Sequence, residues 1–292
     1  MNTPRSINPN ALRHLVVAWL AEDIGRGDVT TTSVVAARQS GRARIEARAS
    51  CIVAGIEAAA ACFEVVSEGT LEFKAAVADG GRVEAGYVIA RIKGPLAPIL
   101  TAERTALNLL ARLCGVATET ARYVGAIEGT DARIVDTRKT TPGLRALQKY
   151  AVAVGGGSNH RFGLDDGVLI KDNHVMAAGG VAEAVNRART SAPHGLRIEV
   201  EVTTLEELDQ AVDAGADAVL LDNMTPETVA EAASRSGGRA LLEVSGGINL
   251  DTVRSYAVRG VDLISVGALT HSAPAIDLAL ELEHVARDGT GE

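Results

Sequence analysis

From about residue 131 onward the chain repeats one pattern: a short apolar run, a polar or glycine-rich link, then a stretch with helical spacing. The apolar runs fall at roughly 131–137, 167–171, 197–202, 217–222, 239–244 and 261–266. Each has the length of a strand covered on both faces rather than of a buried helix. Helix start signals separate them. Thr204-Leu205-Glu206-Glu207 has the form of a capping box, Thr225 precedes Pro226 at a first helical position, and Asn249 precedes Leu250. Consecutive strand–helix units require parallel strands joined by right-handed crossovers. Six units are fewer than a closed eight-stranded barrel needs. The pattern therefore predicts an α/β fold with an incomplete, six-stranded α/β barrel; a doubly wound open sheet satisfies the same rhythm.

The chain before residue 131 reads differently. Asn8-Pro9 opens a helix whose Leu12, Leu15, Val16, Trp19 and Leu20 form one apolar stripe, with His14 off it. Glu22 to Thr31 is rich in acids and glycine and is expected as a loop. Residues 41–98 alternate in the strand manner around one short helix, an accessory α+β layer. A long helix is expected from Thr101 toward Ile127, broken near Gly115, and a last helix over Ala273 to Arg287.

The net charge of −8 argues against a coat for nucleic acid or a membrane surface, so any cation cluster is local. Cys51, Cys62 and Cys114 are an odd set without CxxC spacing and read as buried thiols of a reducing compartment. With no signal-peptide pattern and no run of membrane-spanning length, the expectation is a soluble cytoplasmic protein without nucleic-acid or membrane partners.

Parallel α/β folds bind ligands at the C-terminal ends of their strands. Here those ends carry Arg138-Lys139, Lys171, Glu199 and Glu201, Asp222, Ser245-Gly246-Gly247 and Val266-Gly267-Ala268. His160 and Arg161 lie in the glycine-rich link between the first two strands. So many cations at strand ends call for a ligand with several negative charges. Glu199 and Glu201 are two apart and face the same side of their strand, the barrel interior, where they need cations or a metal. Two glycine turns after the last two strands suit a phosphate group. Gly155-Gly156-Gly157 reads as a hinge presenting His160 and Arg161 rather than as a second phosphate cradle.

The blocks Asp136-Thr137-Arg138-Lys139-Thr140-Thr141-Pro142-Gly143, Asn159-His160-Arg161 and Ile170-Lys171-Asp172-Asn173-His174 closely resemble those of the type II phosphoribosyltransferases, specifically the quinolinate phosphoribosyltransferases of NAD synthesis. Similar blocks run along nearly the whole chain. The resemblance implies an N-terminal α+β open-sandwich domain, residues 1–115 completed by a C-terminal helix in 270–292, and a barrel catalytic domain, 116–269. It implies transfer of phosphoribosyl from phosphoribosyl pyrophosphate to the ring nitrogen of quinolinate, with decarboxylation. Quinolinate would bind among Arg104, Thr137, Arg138, Lys139, His160, Arg161 and Lys171. Arg104, in the block Glu103-Arg104-Thr105-Ala106-Leu107-Asn108, would come from a partner subunit, implying a homodimer with shared sites. Phosphoribosyl pyrophosphate would meet Glu201, Asp222, Ser245, Gly246, Gly247, Val266, Gly267 and Ala268. Lys139, Lys171, Glu201 and Asp222 would carry the catalysis. Mg²⁺ would come with the diphosphate, held by Glu201 and Asp222 largely through water and substrate oxygens.

Three other readings share these residues. Lys171 on a barrel strand suits a Schiff-base aldolase. A non-catalytic anion-binding protein could use the same scaffold. A related phosphoribosyltransferase could take nicotinate, although the size of the cation set favours a dicarboxylate.

Overall fold

The structure, a computed structural model, describes residues 8–286. The chain divides into two compact units. One takes the chain through Glu119, Pro142–Gly155 and the residues from Ala273; the other takes Thr120–Thr141 and Gly156–Ser272. The segment Pro142–Gly155 thus lies with the first unit, a split that the two-domain expectation does not contain.

In the first unit, α1 (Pro9–Ile24) is capped by Asn8, whose side chain accepts from the N–H groups of Asn10 and Ala11. It buries Leu12, Val16 and Leu20, while His14 is exposed. The acid-rich link behind it is partly helical. Asp28 caps α2 (Val29–Val34), accepting the Thr31 N–H at 2.9 Å. Then come β1 (Ser40–Ala47), β2 (Cys51–Ile52), α3 (Ile56–Ser67), β3 (Glu72–Ala75), β4 (Arg82–Val83), β5 (Val88–Pro95) and α4 (Leu96–Ala126). The break expected near Gly115 is absent, and α4 runs through it. Gly115 answers a packing need instead: a Cβ there would strike the backbone carbonyl of Pro274.

After β6 (Arg133–Val135) comes α5 (Arg145–Val154), which belongs to the first unit. Its Tyr150 hydroxyl donates to Asp79 at 2.7 Å, and Asp79 also accepts the N–H groups of Gly55 and Ile56 at the start of α3. The second unit continues with β7 (Val168–Ile170), α6 (Asp172–Ala178), α7 (Val181–Ser191), β8 (Ile198–Val202), α8 (Leu205–Asp213), β9 (Ala218–Asp222), α9 (Pro226–Ser236), β10 (Leu241–Ser245), α10 (Val253–Tyr256), β11 (Leu263–Ser265) and α11 (Ala268–His271). All six expected strands form. The caps on α8 and α9 do too: Thr204 accepts the Glu207 N–H at 3.2 Å and Thr225 that of Thr228 at 3.3 Å.

These strands form one parallel sheet in the order β6-β11-β10-β9-β8-β7. From β7 to β11 each strand lies beside its successor, and β6 lies beside β11. A doubly wound sheet reverses its order at a switch point. This one runs round without reversing, as a barrel does, with β6 and β7 at its two edges and not paired to each other among the described residues. At the N-terminal ends of the strands, two aspartates brace neighbours. Asp217 accepts the Ile198 N–H at 2.8 Å, and Asp262 accepts that of Leu242 at 2.9 Å. That rim is stapled; the opposite rim carries the polar groups.

The last segment corrects an expectation. The helix foreseen over Ala273 to Arg287 is a strand, β12 (Leu278–Val285), antiparallel to β1, with Leu278 opposite Ala47 and Leu280 opposite Ile45. Arg287 lies outside the described residues. Leu278, Leu280 and Leu282 alternate with Ala279, Glu281 and Glu283, a period of two that suits a strand with one covered face. The first unit's sheet runs β12-β1-β5-β3. The tail therefore completes the first unit as a strand, not as a helix.

Candidate active site

Asp136 follows β6 directly, is fully buried, and organises the segment that carries His160 and Arg161. Its carboxylate accepts from the Asn159 side-chain amide at 2.6 Å and from the His160 N–H at 2.9 Å. Ser158 bridges to β6 on both sides, donating its N–H to Ile134 O and accepting that of Asp136. The chain after Gly156 is thus pinned as an extra extended segment along β6. It is not a loose hinge.

The His160 ring points into the sheet interior. Its Nε2 lies 3.0 Å from Glu199 Oε2 and 3.5 Å from Glu243 Oε2, and its Nδ1 accepts the Arg161 N–H at 2.7 Å. Glu199 on β8 and Glu243 on β10 are both buried. Ile198, Val200 and Val202 fill the opposite side of β8, as the two-residue spacing predicts. The Glu243 carboxyl is pushed up to about 8, first by burial and then by the charge of Glu199, with His160 pulling it down. Arg161 donates to Gly167 O at 3.0 Å. Burial, and then the like charge of Arg138, holds its guanidinium below the usual arginine range. Two guanidinium groups are therefore close enough to repel, an arrangement stable only with anions nearby.

Lys171, at the end of β7, places Nζ 2.5 Å from Glu201 Oε2 at the end of β8. The Lys171 N–H donates to His174 Nδ1, closing the first turn of α6. Asp222 ends β9 and accepts from the Asn223 amide at 2.7 Å. Asn223 has φ +54, and its N–H donates to Ser245 O, tying the end of β9 to the turn after β10. In that turn Gly246 has φ +98, and a Cβ there would run into the Asn223 side chain. Only glycine lets the chain pass here.

The helix expected directly behind Ser245-Gly246-Gly247 is one short turn that begins only at Val253. Any anion there would rest on loop amides, not on a helix end. Val266 offers less than expected, because its N–H donates to Val135 O within the sheet. The amides for a second cradle begin at Gly267. A Cβ on Gly267 would lie 3.0 Å from Lys139 Cδ and 3.2 Å from His271 Nε2. Thr270 fixes Lys139 from behind, its hydroxyl donating to Lys139 O at 2.8 Å. Thr137 does so from in front, accepting the Lys139 N–H at 3.0 Å.

The second unit thus gathers Thr137, Arg138, Lys139, His160, Arg161, Lys171, Glu201, Asp222 and both glycine turns at the C-terminal rim of one sheet. Arg104 belongs to the first unit. It lies on α4 with its side chain 63% exposed, 3.7 Å from Glu103. Sequence reasoning missed Glu243 and His271. A lone acid inside the apolar run Leu241-Leu242-Glu243-Val244 was the available signal for the first. His271 carries no sequence signal.

A family model described as "Quinolinate phosphoribosyl transferase, C-terminal domain" matches residues 116–281, and its N-terminal counterpart matches residues 28–114. The chain is 42% identical over 276 residues to a Bacillus subtilis protein named "Probable nicotinate-nucleotide pyrophosphorylase [carboxylating]", covering 94% of this chain and 95% of that one. It is 43% identical over 278 residues to the Mycobacterium leprae "Nicotinate-nucleotide pyrophosphorylase [carboxylating]", covering 94% and 98%. A solved nicotinate-nucleotide pyrophosphorylase structure from Francisella tularensis superposes with a TM-score of 0.90 at 39% identity, covering 97% of this chain and 100% of that one.

Proposed function

The chain belongs to the quinolinate phosphoribosyltransferase family, and on that premise we propose how its residues carry the family's reaction. The enzyme transfers phosphoribosyl from phosphoribosyl pyrophosphate to the ring nitrogen of quinolinate. Nicotinate mononucleotide, diphosphate and CO₂ leave. The relatives' name, pyrophosphorylase [carboxylating], describes the same reaction from the product side. One observation carries the assignment of the site. Cations at the ends of β6 and β7, two carboxylates at the ends of β8 and β9, and glycine turns after β10 and β11 share one rim of one sheet.

Quinolinate, a dianion, would be held by Arg138, Lys139, Arg161 and Lys171, through charge-assisted hydrogen bonds. Thr137 would shape the edge of this pocket, and His160 would support it from the sheet side. The 5′-phosphate of the co-substrate would rest on the amides of Gly246, Gly247, Gly267 and Ala268, between the last two strands. Glu201 and Asp222 would face the ribose hydroxyls and the ribosyl carbon that turns cationic as diphosphate departs. They are hard oxygen donors on adjacent strands, the type that Mg²⁺ takes. Bound there, the ion would offset charge on the departing diphosphate. The ring nitrogen attacks C1 of the ribose, and the C1–oxygen bond to diphosphate breaks. The pyridinium so formed accepts the electron pair left when the neighbouring carboxylate leaves as CO₂. A proton then takes its place on the ring. Positioning and fixed charge do the chemistry.

The pairing of Lys171 with Glu201 counts against the aldolase reading: an ammonium held by a carboxylate is a poor nucleophile. Arg104, exposed on α4, is assigned to the site of a second copy, in a homodimer. Three free, buried thiols fit a cytoplasmic setting; among the described residues no helix is long and apolar enough to cross a membrane. The test is turnover of the purified protein with phosphoribosyl pyrophosphate, Mg²⁺ and either quinolinate or nicotinate. Nicotinate mononucleotide and CO₂ from quinolinate alone are expected. Product from nicotinate would change the substrate, and silence from both would overturn the assignment.

A further inference from the structure

We infer that Glu243 is a positioning residue for the transfer site: as a neutral carboxyl beside Glu199, it holds His160 as the Nε2–H tautomer and so fixes the backbone of Arg161 where the dicarboxylate docks. The inference rests on the functional reading above. Its physical basis is a proton count. The Arg161 N–H donates to His160 Nδ1 at 2.7 Å, and a ring nitrogen that accepts carries no proton. The ring proton is therefore on Nε2. That one proton faces two carboxyl groups, with a ring nitrogen of His160 and an oxygen of each glutamate all within 4.8 Å of one another.

Two carboxylates this close, and this dry, cannot both ionise. Glu199 is the nearer to Nε2 and is placed to accept its proton in a hydrogen bond. It also lies close enough to favour the positive charge of Arg161. Glu243 is the deeper, with its side chain 1% exposed, and neither of its oxygens has a hydrogen bond of ordinary geometry. A buried carboxylate in that position is costly, whereas a protonated carboxyl can donate to Glu199. The groups that face it agree. Glu199 from β8 raises its proton affinity, while His160 and the Ser265 hydroxyl of β11 moderate it. The chain of contacts runs Glu243, Glu199, His160 ring, Arg161 N–H. The His160 N–H is anchored separately on Asp136.

Glutamine matches a protonated glutamate in shape and in its ability to donate; leucine matches the volume alone. Glu243→Gln is expected to keep KM for quinolinate within about twofold of wild type, and Glu243→Leu to raise it about tenfold. KM for phosphoribosyl pyrophosphate should stay nearly constant in both, a split that general loosening of the fold would not produce. ¹⁵N NMR of the His160 ring, assigned by comparison with His160→Asn, should show the neutral Nε2–H tautomer at pH 7 in wild type and in Glu243→Gln. Equal loss in the Gln and Leu variants would overturn the proposal, since it would mean that an ionised carboxylate or a metal ligand is needed. So would an unchanged KM for quinolinate in a folded Leu variant, or an imidazolium ring in wild type. Should the wild type not turn over quinolinate at all, the functional reading fails, and the ring measurement still decides the tautomer.

Discussion

Lys171 Nζ and Glu201 Oε2 lie 2.5 Å apart and join the ends of two adjacent parallel strands. The pair stands where the two substrates would meet, so each residue holds the other in place until a substrate carboxylate or ribose competes for it. Lys171→Met and Glu201→Gln should each lower kcat/KM. The double variant should lose less than the sum of the two. Because Lys171 is nearly half exposed, the coupling should be only about 1 kcal/mol. A double-mutant cycle on kcat/KM measures it.

Arg138 is half-buried at the end of β6, beside Arg161. Removing it takes away charge-assisted bonds and leaves ligand charge unpaired. Arg138→Ala should cost about 2–4 kcal/mol of transition-state binding, on the order of 30- to 800-fold in kcat/KM. Steady-state kinetics with quinolinate would check it, and an unchanged value would remove Arg138 from the site.

Gly246→Ala meets two obstacles at once. Its φ of +98 disfavours any side chain, and the added methyl would press on Asn223. A loss of about 1–3 kcal/mol in stability is expected. KM for phosphoribosyl pyrophosphate should rise more than KM for quinolinate. Urea unfolding and paired kinetics separate the two effects.

Gly115→Ala sets two terms against each other. Alanine favours a helix interior by about 1 kcal/mol over glycine. The new methyl, however, would strike the Pro274 carbonyl, and a backbone atom cannot swing aside. The clash should win, destabilising the protein by about 1–3 kcal/mol. Denaturant titration reads the sign directly; a more stable variant would refute the close approach of Pro274 to α4.

Glu243 makes stability depend on pH. Its carboxyl is raised from an ordinary 4.5 to about 8 in the folded chain. Between those values the unfolded chain has given up this proton and the folded chain retains it. The folded form's advantage from this group is therefore complete below about pH 4.5 and lost as pH rises toward 8. Glu243→Gln removes that slope. Unfolding free energies measured from pH 5 to 8 should fall less steeply in the variant than in wild type.

The barrel was legible because each of its strands is a short apolar run that ends abruptly in polar residues or glycine. Arg138, Lys139, Lys171, Glu201 and Asp222 were legible for the same reason: they are those endings. The tail was not. Leu278 to Val285 is rich in Leu, Ala and Glu, all helix formers by propensity, and only pairing with β1 makes it a strand. The alternation of Leu278, Leu280 and Leu282 was the better guide. Helix α5 has no side-chain cap at Leu144 to announce it. Glu243 escaped notice because its partners come from other elements: Glu199 two strands away in the sheet, and His160 from a segment pinned to β6 by Ser158.

The pairing of β1 with β12 has a consequence for how the chain is made. Arg48 and Glu281 are joined by an ion pair across 233 residues of sequence. On a ribosome, β1 must wait for the whole parallel sheet to be translated before its neighbour β12 arrives. The parallel sheet has all its strands once Ser265 is out. Synthesis therefore favours an order in which the reaction-bearing unit takes shape first and the unit that carries β1 closes last.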